Sequence, residues 1–229
     1  MDLISGVASL QFGKSEKPLR LPILQDARTP EFIIFYVTKK RRIMMTVPLR
    51  FEADKISCFF PILQRGFILK TRVGCTIKTL LCEDICLSPE YLENRIQTIF
   101  LDGKAVDDIE SAIIRDGATL ALSAAMPGLV GSTFRRGGHL AAFRSSITHE
   151  GEETSWSHEK EGMFTLKLFN LLVKELGPIF FERGIWIGKD DLDDFLKRQS
   201  EDVRAGFRDI GEQELINIRI NFEKDIRQK

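Results

Sequence analysis

The chain has 229 residues, of which 43% are hydrophobic and 29% charged, with 33 basic groups balancing 33 acidic ones. Such a composition excludes disorder throughout and allows one large domain or two small ones. Residues 1–75 carry 13 basic and 6 acidic groups, 76–150 carry 7 and 10, and 151–229 carry 13 and 17, so the concentrated basic face of a dedicated nucleic-acid binder is not expected.

The longest strongly apolar run, Phe32 to Val37, falls far short of the roughly 18 residues a membrane helix needs. The N-terminus, MDLISGVASLQFG, has an acid at position 2 and no basic region before an apolar core, unlike a secretory leader, so a cytoplasmic location and no membrane partner are expected. Residues 1–43, interrupted by Pro18, Pro22 and Pro30, read as an extension in which only Glu31 to Val37 has strand character; Met44 or Met45 is a candidate natural start. The run Lys39-Lys40-Arg41-Arg42 reads as solvated charge.

A patterned strand follows, Val47 to Glu52, with Val47, Leu49 and Phe51 on one side. Lys55 to Gly66 is too long and too apolar for a tight turn, and Phe59, Phe60, Ile62 and Leu63 call for a short element packed on the core. Phe67 to Val73 alternates as a second strand ended by Gly74. Thr76 to Cys86 switches to helical spacing through Ile77, Leu80, Leu81 and Ile85. Ser88-Pro89-Glu90 supplies an N-cap, a first-position proline and a first-turn acid for a short helix to about Arg95. The four cysteines, Cys58, Cys75, Cys82 and Cys86, include no CxxC pair and read as structural thiols, with no metal site.

From Gln97 to Leu129 the pattern is strand, Asp102-Gly103 turn, returning Lys104-Ala105-Val106, acidic loop, Asp116-Gly117, and a last strand from Ala118 to Ala124. Asp-Gly between alternating segments is a strong hairpin signal because both turn residues favour positive φ.

The order strand, helix, short helix, hairpin and last strand, with Phe100-Leu101-Asp102-Gly103-Lys104-Ala105-Val106-Asp107 and Arg115-Asp116-Gly117, resembles the β-grasp, ubiquitin-like fold and its small sulfur-carrier branch of the molybdopterin and thiamine pathways. The resemblance covers about residues 46–130. It implies a β-grasp domain over 44–148 and, as a partner, a protein such as an adenylating or sulfur-transfer enzyme. Carriers of that branch end at a Gly-Gly whose carboxylate is activated, which would make Gly137 and Gly138 a candidate carrier tail and Arg135 and Arg136 its contacts. The pattern departs there, because His139 and ninety more residues follow Gly138; activation would need cleavage after Gly138, and the simpler reading is a flexible loop.

Glu150 to Glu161 is polar and acidic, so residues 149–161 are expected to be a linker and 162–229 a smaller α+β domain, giving an α+β chain overall. His149 and His158 read as solvated. Met163 to Leu176 has the strongest helical spacing, stopped by Gly177-Pro178. Ile179 to Ile187 fits a strand with a bulge at Gly184 or a helical turn followed by a strand. Asp190 and Asp191 cap a helix through Arg198, and Ile216 to Phe222 alternates as a strand.

No paired nucleophile and base, phosphate-cradling glycine loop, HExxH or close carboxylate pair is present, so no catalytic residue, metal or cofactor is named. Two functions remain open. One is a non-catalytic interaction module or divergent sulfur-carrier relative, acting through its sheet face and the glycine-rich tail. The other is a small-ligand-binding protein or enzyme with a site between the two domains.

Overall fold

In the computed structural model of the chain, period-two alternation produces eight strands that join into one mixed sheet. The described residues are 46–149, 159–208, 210 and 213–223; the expectations for residues 1–43, Met44, Met45, His158 and most of the acidic stretch lie outside them. The strands are β1 (Thr46–Glu52), β2 (Phe67–Val73), β3 (Thr98–Leu101), β4 (Lys104–Ala105), β5 (Thr119–Ser123), β6 (Lys160–Phe169), β7 (Ile185–Gly188) and β8 (Leu215–Glu223). Their order across the sheet is β1-β8-β7-β2-β6-β5-β3-β4.

Several local signals behave as their chemistry requires. Ser88 Oγ accepts the Tyr91 N–H at 3.1 Å and Pro89 opens α3 (Pro89–Arg95). Asp102 (φ 49°) and Gly103 (φ 81°) form the turn between β3 and β4. The apolar run 53–65 becomes a 3-10 segment, Ala53–Phe59, and α1 (Phe60–Arg65), burying Phe59, Ile62 and Leu63. Phe59 sits among the rings of Phe51, Phe181, Phe195, Phe207 and Phe222, with centroids 5.0 to 6.4 Å away. The helix after β2 starts as α2 (Ile77–Thr79), capped by Thr76, and widens to a π-turn over Leu80–Asp84.

The strongest helical expectation, Met163 to Leu176, holds only from Leu171 onward. Met163 to Phe169 belongs to β6, because Phe164, Leu166 and Leu168 also alternate and are buried on one face between β2 and β5. Asn170, at φ 55°, turns the chain into α5 (Leu171–Arg183), which runs through the Gly177-Pro178 pair expected to stop it. The proline removes one helical hydrogen bond, but Leu172, Val173, Leu176, Phe180 and Phe181 all bury against the core. Gly177 lets α5 pass close to α1, since a Cβ there would lie 2.6 Å from Leu63 Cδ1 and push that buried side chain aside. Gly184 then leads into β7, the second of the two readings for that stretch. Gly188, not Asp190, is the N-cap of α6 (Lys189–Leu196), with Asp190 and Asp191 in its first turn; α7 (Glu201–Gly206) follows.

These pairings also bear on the expected division at 149–161. The strand after it, β6, is inserted between β2 and β5, while β8 pairs with β1 in parallel over seven positions. One apolar core includes Leu49, Leu63, Leu120, Leu166, Phe181 and Ile218, so the sheet and core run across that stretch without a seam. The chain is α+β; β1, which covers the strand expected over Val47 to Glu52, forms one edge of the sheet, and β6 lies beside β2.

Candidate interaction surface

After β5 the chain builds a lobe on the sheet face opposite the core. It consists of α4 (Gly128–Phe134), a turn, and two 3-10 turns within Ala141–Ile147 that meet at a kink at Arg144 (φ −117°, ψ 19°). The Phe134 ring lies 5.2 Å from that of Phe100, whose side chain points away from Ile99 and Leu101 by strand alternation. Beneath the lobe Thr98, Ala105 and Ser123 are buried. The far end is tied down where Thr148 bridges to Ala105 and the His149 N–H donates to the Ala105 carbonyl at 2.7 Å.

The anchor is Arg144, only 2% exposed. Its guanidinium donates to Asp107 Oδ1 at 2.6 Å, to the Thr133 carbonyl at 2.7 Å and to Thr148 Oγ1 at 2.9 Å. A buried guanidinium is stable only when its charge and donors are answered, and here a carboxylate from the β4 side and a helix-end carbonyl answer them. The same Asp107 oxygen accepts the Gly137 N–H at 2.9 Å, so one carboxylate fixes both halves of the lobe.

That geometry locates the candidate tail. Arg135 caps α4 and is exposed, its carbonyl accepting the Gly138 N–H at 3.0 Å. Arg136 donates its backbone N–H to the Gln97 carbonyl at 2.8 Å and its guanidinium to Glu93 at 2.8 Å. Gly137 takes φ 61°, and the Gly138 carbonyl accepts the Ala141 N–H at 3.0 Å. Arg135, Arg136, Gly137 and Gly138 therefore lie together, but in a turn bonded on both sides, where the sequence reading expected a flexible loop.

On this support four large apolar side chains face solvent: Leu129 is 75% exposed, Val130 61%, Phe143 83% and Ile147 45%. The other exposed large apolar residues among those described are Met163 and Phe169 on β6 and Leu171 and Ile179 on α5. Sequence reading missed the lobe's apolar residues, along with Arg144 and Asp107. The available signal was composition, since Met126 to His149 contains no Asp or Glu.

Other polar clusters tie elements of the fold together. Glu175 on α5 accepts from Tyr91 Oη at 2.6 Å and pairs with Arg95, stapling α3 to α5; these bonds hold its carboxyl below the usual glutamate range. Arg72 is shared by Asp84, Glu83 and Glu159 and its pKa is raised, chiefly by the Asp84 hydrogen bond. A groove of about 580 Å³ at the ends of β2 and β6 includes Arg72, Asp116 and Glu161, with Asp116 held by the Met163 N–H and Lys160. Cys75 is buried, which pushes its thiol up, and Cys58 and Cys82 are half-buried. Cys86 is exposed at φ 63°. Among the described residues no group of His, Cys, Asp and Glu is arranged to hold a metal, and no helix is long and apolar enough to cross a membrane.

Comparison with family models, curated proteins and solved structures found no match for this chain.

Proposed function

We propose that the protein is a non-catalytic interaction module on a β-grasp-like core, docking a protein partner through the lobe at 128–147. The core in this reading is β2, β6, β5, β3 and β4, adjacent in that order in the sheet. The observation that carries the proposal is the exposure of Leu129, Val130, Phe143 and Ile147 on a segment anchored by a buried Arg144. Burying such side chains is worth about 1.5–3 kcal/mol each, and a rigid segment that leaves them in water is suited to bury them against something else.

As a divergent relative of the sulfur carriers, the protein would keep the Asp102-Gly103 hairpin while its Gly137-Gly138 serves as a turn. A cut after Gly138 would detach β6 from β5 in the chain, although β6 lies between β2 and β5. Non-activation of this Gly-Gly thus follows from the same reading.

The test is affinity capture from cells that express the protein, comparing the wild type with a Leu129→Asp/Phe143→Asp variant and with Trp186→Ala on β7, whose ring lies under Lys70. The expected result is a protein retained by the wild type and by Trp186→Ala and lost from the lobe variant. Equal retention by all three would refute docking through the lobe. Intact mass measurement of the same material should give only chains continuing past Gly138, and a species ending at Gly138 would restore the carrier reading.

A further inference from the structure

Resting on the docking reading above, we infer that the partner presents an apolar segment flanked by carboxylates. The charge on the lobe is the reason. In a chain with 33 acidic residues, none falls between Met126 and His149, while this stretch carries Arg135, Arg136 and Arg144 with His139 and His149. Two of the arginines are answered from outside the lobe: Arg136 by Glu93 and Arg144 by Asp107. Arg135 is exposed and its guanidinium has no ion-pair partner among the described residues. His139 is exposed beside it along the turn.

Arg135 directly follows α4, the helix that carries Leu129 and Val130, and an exposed arginine on a docking segment selects for a carboxylate, which it can hold through two parallel N–H bonds as the contact closes and water leaves. A partner with lysine or arginine at that place would bring like charges into a drying interface, which costs several kcal/mol and suppresses the complex. The same argument disfavours a second copy docking lobe to lobe, because each lobe would offer the other Arg135 and no acid. The fitting occupant is thus a protein segment whose Leu, Ile, Val or Phe side chains cover Leu129 and Phe143 and whose Asp or Glu meets Arg135.

The experiment places a photoreactive benzoylphenylalanine at position 143 of the full-length protein in cells that express it, and sequences the crosslinked peptide. Crosslinking is repeated in Arg135→Glu and, as a milder change, Arg135→Gln backgrounds, with folding checked by circular dichroism. The expected product joins a peptide having an apolar residue within a few positions of Asp or Glu, and Arg135→Glu lowers its yield at least about tenfold, more than Arg135→Gln. A peptide flanked by Lys or Arg, a crosslink to another copy of this chain, a lipid adduct, or a yield indifferent to both substitutions would overturn the inference while leaving the lobe as a contact surface. No adduct at position 143 would instead overturn the docking reading itself, so the two failures are distinguishable.

Discussion

Replacing Arg144 with methionine keeps most of the side-chain volume and removes the charge and every donor. The side chain is 2% exposed and Asp107 is 33% exposed, so the pair is buried on one side and partly wet on the other. Breaking a fully buried pair from one side costs about 3–5 kcal/mol, most of it from the stranded charge. Asp107 keeps the Gly137 N–H and reaches water, which argues for the lower end, about 3 kcal/mol, together with the unpaired Thr133 carbonyl. The loss should be local first, because the lobe packs on the outer face and the core lies on the other. Hydrogen exchange read by NMR should show the Arg136, Gly137 and His149 amides losing protection by about 100-fold, which is the 3 kcal/mol at 1.4 kcal/mol per decade. The Leu122 and Leu166 amides in the sheet should change far less. Adding Asp107→Asn to Arg144→Met should recover part of the loss, since it removes the stranded charge. Unchanged lobe protection in Arg144→Met would refute the anchoring role, and uniform loss across the sheet would show that the lobe is part of the cooperative core.

Gly103→Val should cost about 1–3 kcal/mol in chemical denaturation through backbone strain alone, because φ is 81° and no atom lies within 4 Å of the added Cβ; a negligible loss would remove the Asp102-Gly103 turn. Glu175 has a depressed pKa in the folded state, so its contribution is present above the ordinary glutamate value of 4.5 and is lost as pH falls below it. Glu175→Gln should therefore lower stability at neutral pH and flatten its decline below about pH 4.5; a parallel decline in both proteins would contradict this. A protease site engineered between 150 and 158 should, after cutting, leave two fragments that co-elute until denatured, because β6 lies between β2 and β5. Separation of the fragments without denaturant would restore the two-domain expectation.

Local chemistry was legible wherever a few neighbouring residues decide the conformation. Ser88-Pro89 and Asp102-Gly103 each act within four residues, and the alternation from Ile216 to Phe222 fits only a strand. Met163 to Leu176 misled because its apolar residues satisfy both periods. Phe164, Leu168, Leu171, Leu172 and Leu176 fall along a helix face, while Phe164, Leu166 and Leu168 fall along a strand. The choice was made by β2 and β5, which offer hydrogen bonds on both sides, and nothing near residue 166 in the chain records their presence. Sheet order was illegible for the same reason: β1 pairs with β8 across some 170 residues of chain. At the lobe, Arg135 to Gly138 could be singled out, but their fixation depends on Asp107 and on Arg144, whose burial is set by a partner 37 positions away. Leu129 and Phe143 look like ordinary core residues until the fold leaves them outside.

The central claim is that the lobe is the docking face, and it is tested most directly by hydrogen exchange on the full-length protein, free and in the complex recovered from its own cells. The account predicts slowed exchange in peptides spanning residues 128–147, at the positions around Leu129 and Phe143, with α6 and the β1 edge unchanged. Slowed exchange around Lys70 on β2 and Trp186 on β7, with the lobe unaffected, would contradict it.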